Sequence, residues 1–182
     1  MAPFSFIRTR IGFLRRRKRK LPEVKKTSLG NSHKYNGRSS LRKITFTDGT
    51  SMIMESSTQV NETKFIGGKI RITNDHKERR NGVAELSYSV NPPFLTRAGL
   101  ETGFHIWGVK EKGLSKSRRA TPLILEEAIQ IARFDSAKAV YLTAESRLVR
   151  IEAELRGFKR AVVNGKKVKN EHNGKPLYVL HL

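Results

Sequence analysis

The feature that most constrains the fold is a change of hydrophobic period near residue 120. From Leu41 to residue 109 the chain reads as short runs with apolar side chains at alternate positions, which is typical of β-strands. After Ala120 apolar side chains recur every three to four residues, which predicts an amphipathic helix as far as Phe134. A second apolar run (137–144) and a second helical pattern (145–157) follow. This order predicts a mixed α/β domain, because strands that alternate with helices form a parallel or mixed sheet.

The part of the domain that precedes residue 110 is predicted to be antiparallel. Asp48-Gly49 is a strong hairpin signal between two strand-like runs, and Gly67-Gly68 indicates a bulge or bend within a later strand. No helical pattern separates these runs, so neighbouring strands are expected to pair through short turns. The runs cover residues 41–56 (two strands), 63–75, 83–90 and 103–109.

Three local signals place the helices and strands after residue 120. Thr121 is a favourable N-cap with Pro122 at the first helical position, so we expect the first long helix to begin there. The continuous apolar centre of the next strand, residues 139–142, predicts burial on both faces in a parallel pairing. Gly157 is expected at the C-terminus of the second helix. The last two strands are predicted over residues 159–168 and 175–182.

Basic residues are concentrated in the first quarter of the chain. Of 182 residues, 37 are Lys or Arg and 16 are Asp or Glu, which gives a formal net charge of +21. Residues 1–43 hold fourteen of the basic residues and one acid, and their later Gly, Asn and Ser content is typical of a linker. We therefore divide the chain into a basic extended arm and linker, residues 1–43, and an α/β domain, residues 44–182.

This charge indicates a polyanionic partner, because a chain with a net charge of +21 repels itself in isolation. The expected partners are nucleic acid, RNA or DNA, and neighbouring proteins of a large assembly. No apolar run approaches the roughly 20 residues that cross a bilayer, so we expect no membrane span. The sequence has no Cys and therefore no disulfide. We expect the protein inside a cell or an assembled particle (cytoplasm, organelle matrix or virion), and not secreted.

The arm permits three interpretations. In the first, its basic side chains bind nucleic-acid phosphates, while Phe4, Phe6 and Phe13 pack on protein or stack on bases. In the second, it is an organellar transit peptide, since it is rich in Arg and poor in acids. In the third, it is a solvated tail or a membrane-surface helix. The candidate nucleic-acid-binding residues are Arg8, Arg10, Arg15, Arg16, Arg17, Lys18, Arg19, Lys20, Lys25 and Lys26.

Residues 104–182 resemble the C-terminal half of the GNAT superfamily of N-acetyltransferases. The stretch LEEAIQIARFDSAKAVYLTAESRLVRIEAELRGFKR carries the helix and strand order, and Gly157-Phe158 matches the pair that closes a family helix. The resemblance implies a GNAT-like mixed central sheet with antiparallel N-terminal strands, a strand-helix-strand-helix core and a C-terminal hairpin. It also implies a loop for the pyrophosphate of acetyl-CoA after the strand that ends at Val109.

That loop departs from the family's pattern, Arg/Gln-x-x-Gly-x-Gly/Ala. Its two small positions fall on Arg119 and Thr121 here, after Lys116. The family uses glycine because main-chain amides must approach the pyrophosphate closely. Three alternatives therefore remain for what this basic loop binds: acetyl-CoA, a nucleic-acid phosphate, or no ligand. If a coenzyme binds, the candidate residues are Val109, Lys116, Arg118, Arg119 and Thr121.

Catalytic side chains of the family are also replaced. Ala153 stands where many members have a Tyr that protonates the leaving thiolate, and Ser146 stands where Asn is frequent. Glu101, His105 and Glu111 are candidate general bases, but no motif marks any of them. The five His residues lack metal-ligand spacing, so we expect no metal site. We also expect no cofactor, unless acetyl-CoA binds.

These observations favour a non-catalytic structural component of a ribonucleoprotein or other large assembly, such as a ribosome or a virus particle. It would use an acetyltransferase-like fold and bind phosphates through its arm. The alternative is an active acetyl-CoA-dependent N-acetyltransferase that has a divergent loop and is targeted by the arm to nucleic acid or a ribosome. A third interpretation is a basic ribosomal protein whose fold shares only the strand and helix order.

Overall fold

The computed structural model describes the backbone of residues 24–34, 37–61, 64–74, 82–111 and 114–182, and the side chains of residues 39–58, 67–74, 83–111 and 120–182. The candidate arm residues from Arg8 to Lys20 lie outside the described residues. Within the described ranges the chain forms eleven strands and three helices. They are β1 (Val24–Lys34), β2 (Gly37–Phe46), β3 (Ser51–Asn61), β4 (Lys64–Asn74), β5 (Gly82–Val90), α1 (Pro93–Arg97), β6 (Phe104–Glu111), α2 (Leu114–Phe134), β7 (Ala139–Thr143), α3 (Arg147–Leu155), β8 (Lys159–Arg160), β9 (Val162–Val163), β10 (Lys166–Lys167) and β11 (Leu177–His181).

Nine of the described strands form one mixed sheet in the order β1-β2-β3-β4-β5-β6-β7-β11-β8. Strands β6 and β7 are parallel, and the other neighbours are antiparallel. β9 and β10 form a separate hairpin. The predicted mixed α/β class is thereby confirmed, with few helices on a large sheet.

The Asp48-Gly49 hairpin is confirmed between β2 and β3. Gly49 has φ +80°, a left-handed conformation that glycine adopts without strain. The Asp48 carboxylate accepts hydrogen bonds from the backbone N–H of Thr50 at 3.0 Å and from its hydroxyl at 2.6 Å. These local bonds close the turn and leave the flanking strands in register.

Residues 24–34 and 37–43 lie in β1 and β2, whereas their composition predicted a linker. β1 pairs antiparallel with β2, from Val24 opposite Phe46 to Lys34 opposite Gly37. The boundary drawn between residues 43 and 44 falls inside β2. Backbone hydrogen bonding between strands does not require apolar side chains, so polar composition did not reveal this pairing.

Helices α2 and α3 cover one face of the sheet, here called the helical face, and enclose the larger core. Alternate side chains of β2 to β6 point into it because successive residues of a strand face opposite sides. Each large aliphatic side chain buried there stabilises the fold by about 1.5–3 kcal/mol. Fully buried examples are Ile70, Ile72, Leu86, Ile106, Ile124, Leu125, Leu142 and Val149.

Helix α1 and the segment after α3 cover the second face over β6, β7 and β11. Phe94, Leu95, Tyr141, Ala161 and Leu177 form a smaller core there. All five residues of β7 are buried, as its apolar sequence predicted. The expected parallel pairing with β6 is confirmed, and the other neighbour, β11, is antiparallel.

The predicted start of α2 at Pro122 is wrong, because the helix begins at Leu114 and contains Pro122. Thr121 does not cap the helix. Its hydroxyl donates instead to Glu111 at 2.6 Å. Proline lacks an N–H, so Pro122 cannot donate to the carbonyl of residue 118. The carbonyl of Pro122 accepts a hydrogen bond from Arg156 Nη2 at 3.1 Å, which ties α2 to α3.

The end of α3 is confirmed, and the long strand predicted over residues 159–168 is wrong. Gly157 follows α3 with φ +90°. In the next segment Asn164 and Gly165 both have positive φ, 50° and 76°, and they reverse the chain between β9 and β10.

In the part of the chain that the structure describes, no helix is long and apolar enough to cross a membrane.

Candidate functional site between β6 and β7

The candidate site is the gap between the carboxyl ends of β6 and β7. Ligands bind at the carboxyl ends of adjacent parallel strands in open α/β sheets. β6 continues to Glu111 beside β5, with an extra residue, Trp107, that shifts the register between the two strands. The paired residues of β6 and β7 are Phe104 with Val140, His105 with Tyr141 and Ile106 with Leu142. The two strands therefore part beyond Ile106, and the side chains beside the gap decide what it can accept.

Glu111 closes the gap on the helical face. Its Oε1 accepts a hydrogen bond from the Thr121 hydroxyl at 2.6 Å, and its Oε2 accepts one from the Ser146 hydroxyl at 3.1 Å. Ser146 also caps α3, since its Oγ accepts from the N–H of Val149 at 3.1 Å. One carboxylate thus joins the end of β6 to both helices, and it occupies the hydroxyls that could otherwise bind a ligand.

A second carboxylate, that of Glu145, lies against β6 on the other face. A Cβ placed on Gly108 would stand 3.2 Å from Cδ and from Oε2 of Glu145. Asn173 Nδ2 donates to Glu145 Oε1 at 3.4 Å. Glu145 stands two residues after the end of β7, and its side chain reaches β6 across the position where the strands part. Two carboxylates near one gap oppose the entry of a pyrophosphate, because like charges repel.

The residues predicted to bind a coenzyme do not form a loop. Val109 is buried in the larger core, and Thr121 is buried and bonded to Glu111. The backbone of Lys116, Arg118 and Arg119 belongs to α2, and the side chains of these three residues lie outside the described ones. In an α-helix only the first four N–H groups lack an internal partner, which here are those of residues 114–117. The amides of residues 118–121 therefore lie past that first turn.

His105 lies at the paired part of the gap in a cluster of rings on the second face. Its ring is fully buried and meets Trp107 and Phe94 edge-on, with centroid distances of 4.4 and 4.7 Å. Its Nε2 is 3.0 Å from the Thr143 hydroxyl, which accepts from Asn170 Nδ2 at 2.8 Å. Among the described residues, Nδ1 has no hydrogen-bond partner.

Burial, and to a smaller extent the charge of His172, lowers the pKa of His105 to about 3. The ring is therefore neutral near pH 7 and has no exposed nitrogen for a substrate. The other two candidate bases stand at opposite ends of β6: Glu101 is exposed before the strand, and Glu111 ends it. The three candidates therefore do not converge on one reacting atom. The described residues contain no group of three or more His, Asp or Glu that could hold a metal ion.

The candidate phosphate-binding residues of the arm are described only in part. Lys25 and Lys26 belong to β1, the edge strand of the described sheet, and only their backbone is described.

Comparison with known proteins gives no relative: no family model matches the chain, and no curated protein or solved structure matches it.

Sequence reasoning missed Glu145, Thr143 and Asn170 as parts of the site. Thr143 ends β7, Glu145 follows it, and Asn170 bonds to Thr143 from the segment after α3, so their roles depend on how that segment folds back beside the strand. Ser146 was recognised only as a substitute for Asn, although a Ser before a helical pattern is an N-cap signal.

Proposed function

We propose that the chain is a non-catalytic, nucleic-acid-associated component of a large assembly, such as a ribosome or a virus particle. The observation that carries the proposal is the charge of residues 1–43, fourteen basic residues against one acid. Such an arm binds phosphates by displacing their counterions and needs no base-specific contact. The domain then holds the arm in place through β1, which follows the basic run Arg15–Lys20 after three residues.

The carboxylates at the gap support the non-catalytic part of the proposal. In an acetyltransferase-like fold the coenzyme would enter between β6 and β7. Glu111 and Glu145 present negative charge there, and Glu111 already uses the hydroxyls of Thr121 and Ser146. We infer that the domain is a divergent GNAT-like fold whose coenzyme gap is occupied by its own side chains.

An acetyl-CoA-dependent N-acetyltransferase is the second candidate function. The parting of β6 and β7 favours it, since an inserted coenzyme needs such a gap. Isothermal titration calorimetry with acetyl-CoA separates the two functions. The non-catalytic proposal predicts no heat of binding up to about 100 µM coenzyme. Binding with a micromolar dissociation constant supports the enzyme. The Glu145→Lys variant should then bind acetyl-CoA more tightly, because it adds a cation beside the gap.

The nucleic-acid proposal is tested by the salt dependence of binding in two full-length variants of equal charge. Fluorescence anisotropy is measured with a labelled oligouridylate RNA and with a labelled DNA duplex. Each variant loses three Arg charges, so the formal net charge falls from +21 to +18. The arm variant is R15Q/R16Q/R17Q, and the control variant is R133Q/R147Q/R150Q, whose side chains are exposed on α2 and α3.

We expect the arm variant to lower the slope of log affinity against log salt by about 2 to 3, because each neutralised phosphate contributes about 0.7 to 0.9. The control variant is expected to change it by less than about 1. An equal change in both variants, or wild-type protein that binds neither probe, would contradict the proposal.

A further inference from the structure

The segment between α3 and β11 carries a second concentration of positive charge. Residues 159–175 contain six Lys and Arg residues and one acid, Glu171. Lys159, Lys166, Lys167, Lys169 and Lys175 are all exposed. We call residues 159–175 the basic hairpin segment.

The backbone of this segment is held firmly on the second face. Val168 N–H donates to the carbonyl of Ala161 at 2.9 Å, and Leu177 N–H donates to that of Val168 at 3.3 Å. Ala161 is fully buried, and Val168 packs against the same core. The Asn164-Gly165 turn fixes the register of β9 and β10. A ligand that binds here therefore meets lysines whose backbone is already ordered, which reduces the entropy lost on binding.

Strand geometry turns part of this charge toward solvent on one side. Lys167 pairs directly with Val162, so the two side chains share a face, and both are exposed. Val168 points inward, and strand alternation therefore places Lys167 and Lys169 on the outward side. On the opposite face of the hairpin Val163 approaches Gly99.

None of the five lysines is neutralised within the described part of the chain. Glu171, the segment's acid, is bonded to Arg97 and lies 3.5 Å from His172 Nε2. Two cations of the folded body outside this segment, by contrast, are paired: Arg42 contacts Glu127 at 2.9 Å, and Arg156 contacts Glu152 at 3.0 Å. Unpaired like charges in an ordered segment repel one another, and an anionic partner removes that repulsion.

We propose that the basic hairpin segment is a second contact for the phosphates of the nucleic acid that the arm binds. The inference rests on the proposed function and adds a defined surface to it. A membrane surface fits less well, because membrane-binding elements insert a face of apolar side chains. Val162, 51 % exposed, is the one large apolar side chain that is exposed in this segment. Two separate cationic contacts on one chain increase affinity, because binding through the first raises the effective concentration of the nucleic acid at the second contact.

The test compares the full-length wild type, the arm variant, the control variant and a hairpin variant with the same RNA and DNA probes. The hairpin variant also has a formal net charge of +18, so a difference from the control variant reflects position and not total charge. We expect it to lower the salt slope by about 2, as three neutralised phosphates require, and to weaken affinity at least tenfold at about 0.1 M salt. The hairpin variant is K166Q/K167Q/K169Q.

The outcomes separate the two proposals. If the arm variant lowers the slope and the hairpin variant behaves like the control variant, the hairpin contact is overturned and the nucleic-acid function stands. If the wild type binds neither probe, both fail. Tighter binding to phosphatidylserine vesicles than to either probe, lost in the hairpin variant, overturns the nucleic-acid assignment. The substituted lysines are exposed, so an unchanged thermal unfolding midpoint is expected and confirms that the variants are folded.

Discussion

The hydroxyl of Thr121 donates a 2.6 Å hydrogen bond to the carboxylate of Glu111. This bond joins the interior of α2 to the end of β6 and holds a carboxylate beside the gap between β6 and β7. The same bond shows why Thr121 is not a helix cap.

Thr121→Asp distinguishes these two roles. An N-cap position accepts Asp readily. Here Asp would place a second carboxylate against Glu111 in a buried position, so we expect the free energy of unfolding to fall by at least about 2 kcal/mol. Urea denaturation measures the change. Thr96→Asp, at an exposed position in α1, is the control and should alter stability by less than about 0.5 kcal/mol. Unchanged stability in Thr121→Asp would contradict the observed bond.

His105 should make stability depend on pH. Its pKa in the folded protein, about 3, lies below the value of 6.5 expected in the unfolded chain. Between these two pH values the unfolded state binds more protons than the folded state. The contribution of His105 to the free energy of unfolding is therefore complete above pH 6.5 and is lost as the pH falls toward 3. His105→Phe keeps a ring but cannot titrate. As the pH falls, the free energy of unfolding should decrease less steeply in this variant than in wild type. The difference in slope is expected to be up to about 1.4 kcal/mol per pH unit.

Urea unfolding at several pH values between 4 and 7 measures this difference. His181→Gln, which replaces an exposed His at the end of β11, is the control and should follow the wild-type curve. Parallel curves for wild type and His105→Phe would contradict the assigned pKa.

Gly68 is required by close contact between strands. A Cβ at this position would lie 2.1 Å from the carbonyl oxygen of Ser57 and 2.6 Å from the hydroxyl of Tyr88. We expect Gly68→Ala to reduce the free energy of unfolding by about 3 kcal/mol or more, because neither strand can move freely. Gly108→Ala meets only the movable carboxylate of Glu145 and should cost less than about 1 kcal/mol. Equal effects of the two substitutions in thermal unfolding would contradict this ranking.

The sequence predicted those elements whose signals are local. The Asp48-Gly49 turn, the buried strand β7 and the glycine that follows α3 each depend on a few neighbouring residues, and all three are confirmed. The start of α2 was missed because Thr121-Pro122 is a local signal for a helix start, whereas in the structure the Thr121 hydroxyl is bonded to Glu111 and the helix runs through Pro122. Likewise the candidate site depends on Glu145 and Asn173, which approach each other only after the segment beyond α3 folds back.

Composition also misled where a polar sequence forms strands. Residues 24–34 contain three Lys and two Ser, yet they pair along β2 through the backbone. The spacing of apolar residues along the sequence indicates which side chains are buried. An edge strand with few apolar residues therefore shows no clear alternating pattern.

The central claim is that the positive charge of this chain serves to bind a polyanion. The most direct measurement is the slope of log affinity against log salt for the full-length protein and a single-stranded RNA oligonucleotide. If most of the ten candidate arm residues bind phosphates, the slope should be about −4 to −7. A slope near zero, or no binding at about 0.1 M salt, would contradict the claim.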